Sequence, residues 1–337
     1  MNIATLNQEE RKAAHAVRTS GVVCTLRHVA LLEVRGSDAG RYLDAMCTRD
    51  LSGFDPGGLR YAALLDDRAR LVADFWIWRV GMAWWLEVER RAAPSLLDRL
   101  NRFAVADDVE VAERTDLSLL HCEGPRAMDF ANHFRKSGPT PEATGVVGGP
   151  LVVAWARRSR FGEEGFTFAC TDEPLVGREG IKETGFPYAT PAAQETLRLE
   201  AGRPRISIDF GAKDLLPETG LWGALSLDKG CFPGQEIVRR IVSRGEVKRR
   251  LVGFVEEEAA AVEGAPELQV TSAAESVALG KHIGLGWVSA DSIAPGTAVR
   301  LPEPLFGGRV AALPFVPGPQ AAAPDVPGER MESTAPR

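Results

Sequence analysis

Lys229-Gly230-Cys231-Phe232-Pro233-Gly234-Gln235-Glu236 gathers an amine, a thiol, an amide and a carboxylate in one short stretch, and runs directly into Ile237-Val238-Arg239-Arg240-Ile241-Val242. Gly230, Pro233 and Gly234 interrupt regular structure, so the first part reads as a loop. Ile237 and Ile241 lie one helical turn apart, as do Val238 and Val242, and Gly245 is a stop signal, so the second part reads as a short helix. Cys231 then stands just ahead of a helix start with Lys229 beside it. A cation and the positive end of a helix dipole both favour thiolate over thiol. Glu236, in the first turn, suits the helix and opposes that effect on the sulfur. The chemistry open to such a thiol is exchange with a persulfide or disulfide, or transient binding of iron. The plainer reading is a small buried hydrophobe, which is what most cysteines are.

Two carboxylates stand out elsewhere. Thr190-Pro191 opens the clearest helix in the chain, with a capping residue, proline at the first helical position and Gly202 at the stop. Ala193, Leu197 and Glu200 fall on its inward stripe, flanked by Thr196 and Ala201. An inward carboxylate needs a cation or a hydrogen-bonding ligand, and Arg203 and Arg205 are at hand for an ion pair. Asp74 interrupts the aromatic strand Val72-Ala73-Asp74-Phe75-Trp76-Ile77-Trp78, so it faces either solvent or a ligand cavity.

The elements that must position these groups alternate between strands and helices with strand pairs side by side, which argues for an α+β fold. A polar helical lead over 1–20, with Asn7 as its cap, precedes a strand at 25–35 and a helix at 39–47 capped by Ser37. Strands follow at 59–65, 70–79 and 83–89, a helix from Pro94 to Phe103, a strand at 116–122 and a helix at 126–136. Strands at 151–158 and 165–170 flank a tight turn at Gly162-Glu163-Glu164-Gly165. From Lys248 onward short strands at 248–256, 267–271, 281–288 and 297–301 predict a small antiparallel barrel or sandwich. Residues 318–337, rich in Pro, Ala, Gly and charge, predict a disordered tail. No repeat of fixed period and no glycine-rich phosphate loop is visible.

With 337 residues and a net charge of −6, the composition is that of an ordinary globular protein with room for two or three domains. The acidic balance argues against direct nucleic-acid binding. The five cysteines are scattered, with no Cys-x-x-Cys pair, and no pattern of cysteines and histidines has the spacing of a metal site. Reduced thiols and the lack of a membrane-length apolar run lead us to expect a cytoplasmic protein.

Lys-Gly-Cys-Phe-x-Gly-Gln-Glu at 229–236 resembles the Lys-Gly-Cys-Tyr-x-Gly-Gln-Glu signature of the YgfZ-type folate-binding proteins, relatives of the glycine-cleavage T-protein, with Phe232 in place of tyrosine. Leu197-Arg198-Leu199-Glu200-Ala201-Gly202 resembles that superfamily's Arg-Leu-Glu-Ala-Gly helix, and Leu216 to Leu221 its link to the cysteine loop. The closing Leu313-Pro314-Phe315-Val316-Pro317 resembles the end of the T-protein's last domain, so the likeness spans Cys24 to Pro317.

The resemblance implies two pseudo-symmetric lobes over 21–247 around a central folate pocket, with a small C-terminal β-barrel over 248–317. It implies tetrahydrofolate, or a one-carbon derivative, as cofactor, with Glu200 facing the pterin. Val29 and Gln194 stand where some members place stacking tryptophans. Ala73-Asp74 stands where the T-protein has paired aspartates, and Arg160-Phe161-Gly162-Glu163-Glu164-Gly165 keeps the T-protein's turn without its tyrosine. Gln235 and Glu236 are expected to orient the cysteine loop. Arg240, with Arg239, Arg244, Lys248, Arg249 and Arg250, forms a basic collar for a folate glutamate tail or an acidic partner, or simply a solvated helix face. The implied function is an accessory factor for assembling or repairing iron–sulfur clusters, acting on assembly or client proteins and indirectly supporting tRNA-modifying enzymes. The alternative is a tetrahydrofolate-dependent one-carbon transferase of the T-protein class.

Overall fold

The structure, a computed structural model, describes residues 3, 5–134, 143–146, 152–171, 185–244, 247–257, 263–289, 294–319 and 325. Asn7 opens α1 (Gln8–Thr19) with a reciprocal cap. Its side chain accepts the Glu10 N–H at 3.0 Å and its own N–H donates to the Glu10 carboxylate at 2.9 Å. Ala13, Ala14 and Val17 form the buried face.

The single strand expected over 25–35 is two. A turn closed by the Val29 N–H on the Leu26 carbonyl separates β1 (Val22–Thr25) from β2 (Val29–Arg35), and the two enter different sheets. After α2 (Ala39–Met46) come the meander β3 (Leu59–Leu65), β4 (Leu71–Val80) and β5 (Ala83–Glu89), then α3 (Ala93–Phe103) and β6 (Glu110–Glu113). The cap of α2 is Asp38, without a side-chain bond. Ser37 instead donates its N–H and hydroxyl to Asp108. The second half repeats the pattern with β7 (Ser118–Glu123), α4 (Ala127–Phe134), β8 (Thr144–Val146), β9 (Val152–Arg157) and β10 (Gly165–Cys170).

The two sheets read β6-β2-β5-β4-β3 and β1-β7-β10-β9-β8, so their strand orders correspond one for one. Each half lends its leading strand to the other: β1 precedes β2 but pairs with β7, and β6 precedes β7 but pairs with β2. β4 and β2 are buried on both faces, which explains their near-continuous apolar runs. Trp78, Phe75, Ile77, Leu86 and Leu32 are among the largest fully buried side chains there.

Next come α5 (Pro191–Glu200), α6 (Leu216–Thr219), a 3₁₀ turn at Trp222–Ala224 and α7 (Gln235–Arg244). The strands β11 (Arg249–Glu256), β12 (Gln269–Glu275), β13 (His282–Ser289), β14 (Ala298–Arg300) and β15 (Gly307–Ala311) form a third sheet in the order β12-β13-β11-β15-β14. The expected barrel is not closed. A lone parallel bridge between Glu267 and Arg300 links the outer strands, so the sheet stays open. Its Gly-rich last strand, β15, escaped the apolar-run criterion, as did the short β6 and β8. Among the described residues no helix is long and apolar enough to cross a membrane. The expected tail lies largely outside the described residues, but Asp325 is described and is buried in the interior.

Candidate functional site

A cavity of about 550 Å³ opens between the first two sheets. Its walls come from the 25–29 turn where the chain changes sheets, from β4 and β5, from the 158–161 loop, and from α5 with the 203–206 segment after it. That volume is in the usual range for small-molecule sites.

Asp74 and Trp76, two apart on β4, both line it. The half-buried Asp74 carboxylate accepts the Tyr61 hydroxyl at 2.7 Å. Burial pushes its pKa up to about 6, against the Tyr61 hydrogen bond and with the nearby Asp325 charge adding to the rise. Val29 and Gln194 line the cavity as well, and Gln194 donates its amide to the Ala189 carbonyl at 2.9 Å. His28 sits in the same wall. Burial, then the charges of Arg205 and Arg160, push it down to about 3, so it is neutral at physiological pH.

Ionic pairs frame the rest. Glu87 accepts Arg160 at 2.6 Å, the Trp78 indole N–H at 3.1 Å and a close contact from Arg158. Burial alone would raise its pKa, but the two guanidiniums hold the carboxyl below its usual range. Arg205 spans Glu89 at 3.1 Å and Glu195 at 3.3 Å, and Arg158 lies over the Trp76 ring with 4.5 Å to its centroid.

The loop that carries Arg158, Arg160 and Phe161 is built around one buried carboxylate. Glu123 accepts the backbone N–H groups of Arg160 at 2.6 Å, Phe161 at 2.8 Å and Glu163 at 2.8 Å, the Ser159 hydroxyl at 2.9 Å, and His121 at 2.8 Å. The turn expected at 162–165 is therefore held by a charge at the end of β7, 40 residues before Glu163 in the chain, and the cavity-facing arginines ride on it.

Glu200 does not line the cavity. Its carboxylate is fully buried, accepts the Ser276 hydroxyl at 2.6 Å and the Ala278 N–H at 3.0 Å, and pairs with Arg18 at 2.7 Å. The inward stripe of α5 faces α1 and the third sheet, while Gln194, Glu195 and Arg198 present the cavity face. The cation is Arg18, far away in the chain, and neither Arg203 nor Arg205.

The cysteine loop lies outside this cavity too, since none of Lys229, Cys231, Gln235, Glu236 or Arg240 lines it. Lys229 does not serve the sulfur. Its ammonium donates to the carbonyls of Asp44, Cys47 and Arg49, the last two at 3.0 Å, and pairs with the Asp44 carboxylate at 3.2 Å. Gln235 donates back to the Gly230 carbonyl at 3.3 Å. Gly234 has φ +77°, and a Cβ there would stand 2.7 Å from the Asp66 carbonyl and the Ala69 Cα, so only glycine seats the loop on the β3–β4 turn. Phe232 is buried. Cys231 is exposed, whereas Cys24, Cys47, Cys122 and Cys170 are buried. Glu236 and Arg240 form an exposed pair at 2.8 Å one turn apart, the solvated-face reading of the collar.

Sequence reasoning missed His28, Glu87, Arg158, Arg160, Arg203 and Asp325 as cavity residues. Arg158 and Arg160, alternating just before a glycine turn, were the available signal; Asp325 offered none.

The fold and cavity define a class: α+β proteins in which two five-stranded sheets of matching strand order enclose a ligand-sized hollow beside a third sheet. The family model described as the GCVT N-terminal domain matches residues 4–229. The chain is 31% identical over 323 residues to an aminomethyltransferase of Rubrobacter xylanophilus, covering 90% of this chain and 86% of that protein. It is 28% identical over 249 residues to the tRNA-modifying protein YgfZ of Cronobacter sakazakii, covering 72% of this chain and 73% of that protein. The crystal structure of the glycine cleavage system aminomethyltransferase T from Bartonella henselae shares the fold, with a TM-score of 0.78 at 20% identity over 91% of this chain and 89% of that one. The chain belongs to the GCVT family.

Proposed function

We propose that this protein is a folate-binding accessory factor for iron–sulfur cluster assembly or repair, with tetrahydrofolate in the central cavity and Cys231 as a surface thiol offered to assembly or client proteins. The observation that carries this reading is the construction of the cysteine loop. Lys229, Phe232, Gly234 and Gln235 are each spent on anchoring it, and they leave Cys231, the one exposed cysteine of the five, facing solvent. A loop fixed so firmly around a single exposed thiol suits exchange with a partner's sulfur. One thiolate supplies one of the four ligands that a cluster normally takes, so partner thiols complete the set.

The cavity fits tetrahydrofolate in size and chemistry. Trp76 and Phe161 supply flat apolar surface, Asp74 and Glu195 supply carboxylates suited to the N–H edge of an aminopyrimidine, and the buried Trp76 indole N–H has no hydrogen-bond partner among the described residues. When bound, tetrahydrofolate supplies ring nitrogens that carry one-carbon units. The matching strand orders fit two lobes related as repeats, closing on that hollow. The five free thiols suit a cytoplasmic setting.

The test is genetic: Cys231→Ser in a strain lacking the chromosomal copy is expected to fail to rescue iron–sulfur enzyme activity under oxidative stress. Full rescue would remove the thiol from the mechanism. A second reading, one-carbon transfer as in the aminomethyltransferases it is similar to, is favoured by Asp74, whose carboxyl lines the cavity, is pushed by burial up to about 6 and is suited to moving a proton. Release of ammonia from an aminomethyl donor, lost in Asp74→Asn, would establish it.

A further inference from the structure

We propose that Arg158 and Arg203 form a carboxylate-binding pair on the cavity wall, and that Asp325 fills it as an internal stand-in which a ligand's carboxylate displaces. Both guanidiniums reach the cavity, one from the 158–161 loop and one from the segment after α5. Asp325 bridges them, with Oδ2 at 3.0 Å from Arg158 and Oδ1 in close contact with Arg203.

The two cations are unequal in their other partners. Arg158 also contacts Glu87, but among the described residues Asp325 is the one carboxylate in ion-pair reach of Arg203, whose remaining polar contact is the Ser159 hydroxyl at 3.2 Å. The Arg203 side chain is 6% exposed and Arg158 11%. A guanidinium buried to that degree is costly without an anion. The pair is also held in place before any anion arrives: Arg158 by the Trp76 ring and Glu87, Arg203 by Ser159, which Glu123 fixes in turn. Asp325 reaches this site from more than a hundred residues along the chain, 122 from Arg203 and 167 from Arg158, so the contact is not a local turn. Such a preformed pair, in a cavity that otherwise fits a ligand, is matched to the planar oxygens of a carboxylate. The carboxylate belongs either to the glutamyl part of a folate or to a small acid bound beside it. Only the first source rests on the folate reading.

The test uses the full chain, wild type and Asp325→Asn, and three probes in calorimetry: tetrahydrofolate; tetrahydrobiopterin, which keeps the reduced pterin and has no carboxylate; and sodium acetate. In Asp325→Asn one carboxylate-bearing probe is expected to bind about tenfold more tightly or better. With a glutamyl source, tetrahydrofolate tightens and tetrahydrobiopterin does not. With a small-acid source, acetate gains affinity, loses it again when Arg203→Met is added, and neither pterin changes. Unchanged affinity for all three probes, or equal tightening of both pterins, overturns the proposal and leaves Asp325 a structural ion pair. Should Asp325→Asn not fold, hydrogen exchange on the wild type decides. Saturating tetrahydrofolate or acetate is expected to raise exchange in the peptide containing Asp325, and no rise with either probe rejects displacement. A wild type that ignores tetrahydrofolate counts against the folate reading alone, because the acetate arm tests the pair separately.

Discussion

Asp74 and the five cysteines show how far a side chain's chemistry is steered by its setting. The folded Asp74 carboxyl ionises near 6 against an ordinary 3.8. Between those values the folded chain keeps a proton that the unfolded chain has released, so stability falls as pH rises through that window and is level above it. Asp74→Asn is expected to remove that slope and to raise stability at pH 7 by roughly 3 kcal/mol, read from urea unfolding of both proteins at pH 4 and pH 7. A variant with the wild-type slope would show that the carboxyl is not held near 6. At the sulfurs, burial pushes Cys24 up to about 12 and Cys47 to about 11, while Cys231 is open to solvent. Iodoacetamide at pH 8 is therefore expected to label Cys231 in the native protein and the other four thiols only after denaturation, as mass spectrometry would show. Native labelling of Cys24 or Cys47 would contradict the packing.

At the scale of elements, two buried charges act as anchors for loops. Lys229→Met strands the carbonyls of Asp44, Cys47 and Arg49, and Glu123→Gln removes the charge that gathers the 159–163 backbone. Each is expected to cost about 2–4 kcal/mol in chemical denaturation, whereas Cys231→Ser leaves stability within about 0.5 kcal/mol. Equal stability of Lys229→Met and wild type would mean that its ammonium does not hold the loop. These anchors mark the limit of what the chain discloses on reading. The loop at 229–236 and the helix behind it are legible because glycine, proline and apolar spacing are local signals. What Lys229 touches is not, because its partners lie 180 or more residues earlier. Glu200 shows the same limit: spacing correctly places it on the buried stripe of α5, but a stripe does not say which neighbour it meets, and here that is α1 and the third sheet.

For the molecule as a whole, the hollow is lined by the 25–29 turn, where the chain passes from β1 in one sheet to β2 in the other and the two halves exchange their leading strands. That exchange carries no sequence signature, since matching topology needs no matching residues. The α+β class was legible from strand–helix alternation, and the ligand cavity only through likeness to a family. Cavity and thiol are separate stations: one is interior, ringed by arginines and carboxylates, the other on an anchored surface loop. Calorimetry of tetrahydrofolate against wild type, Trp76→Leu and Cys231→Ser tests that separation directly. The account predicts about tenfold or greater weakening for Trp76→Leu, from lost ring contact, and wild-type affinity for Cys231→Ser. Affinity that collapses with Cys231→Ser and survives Trp76→Leu would contradict it.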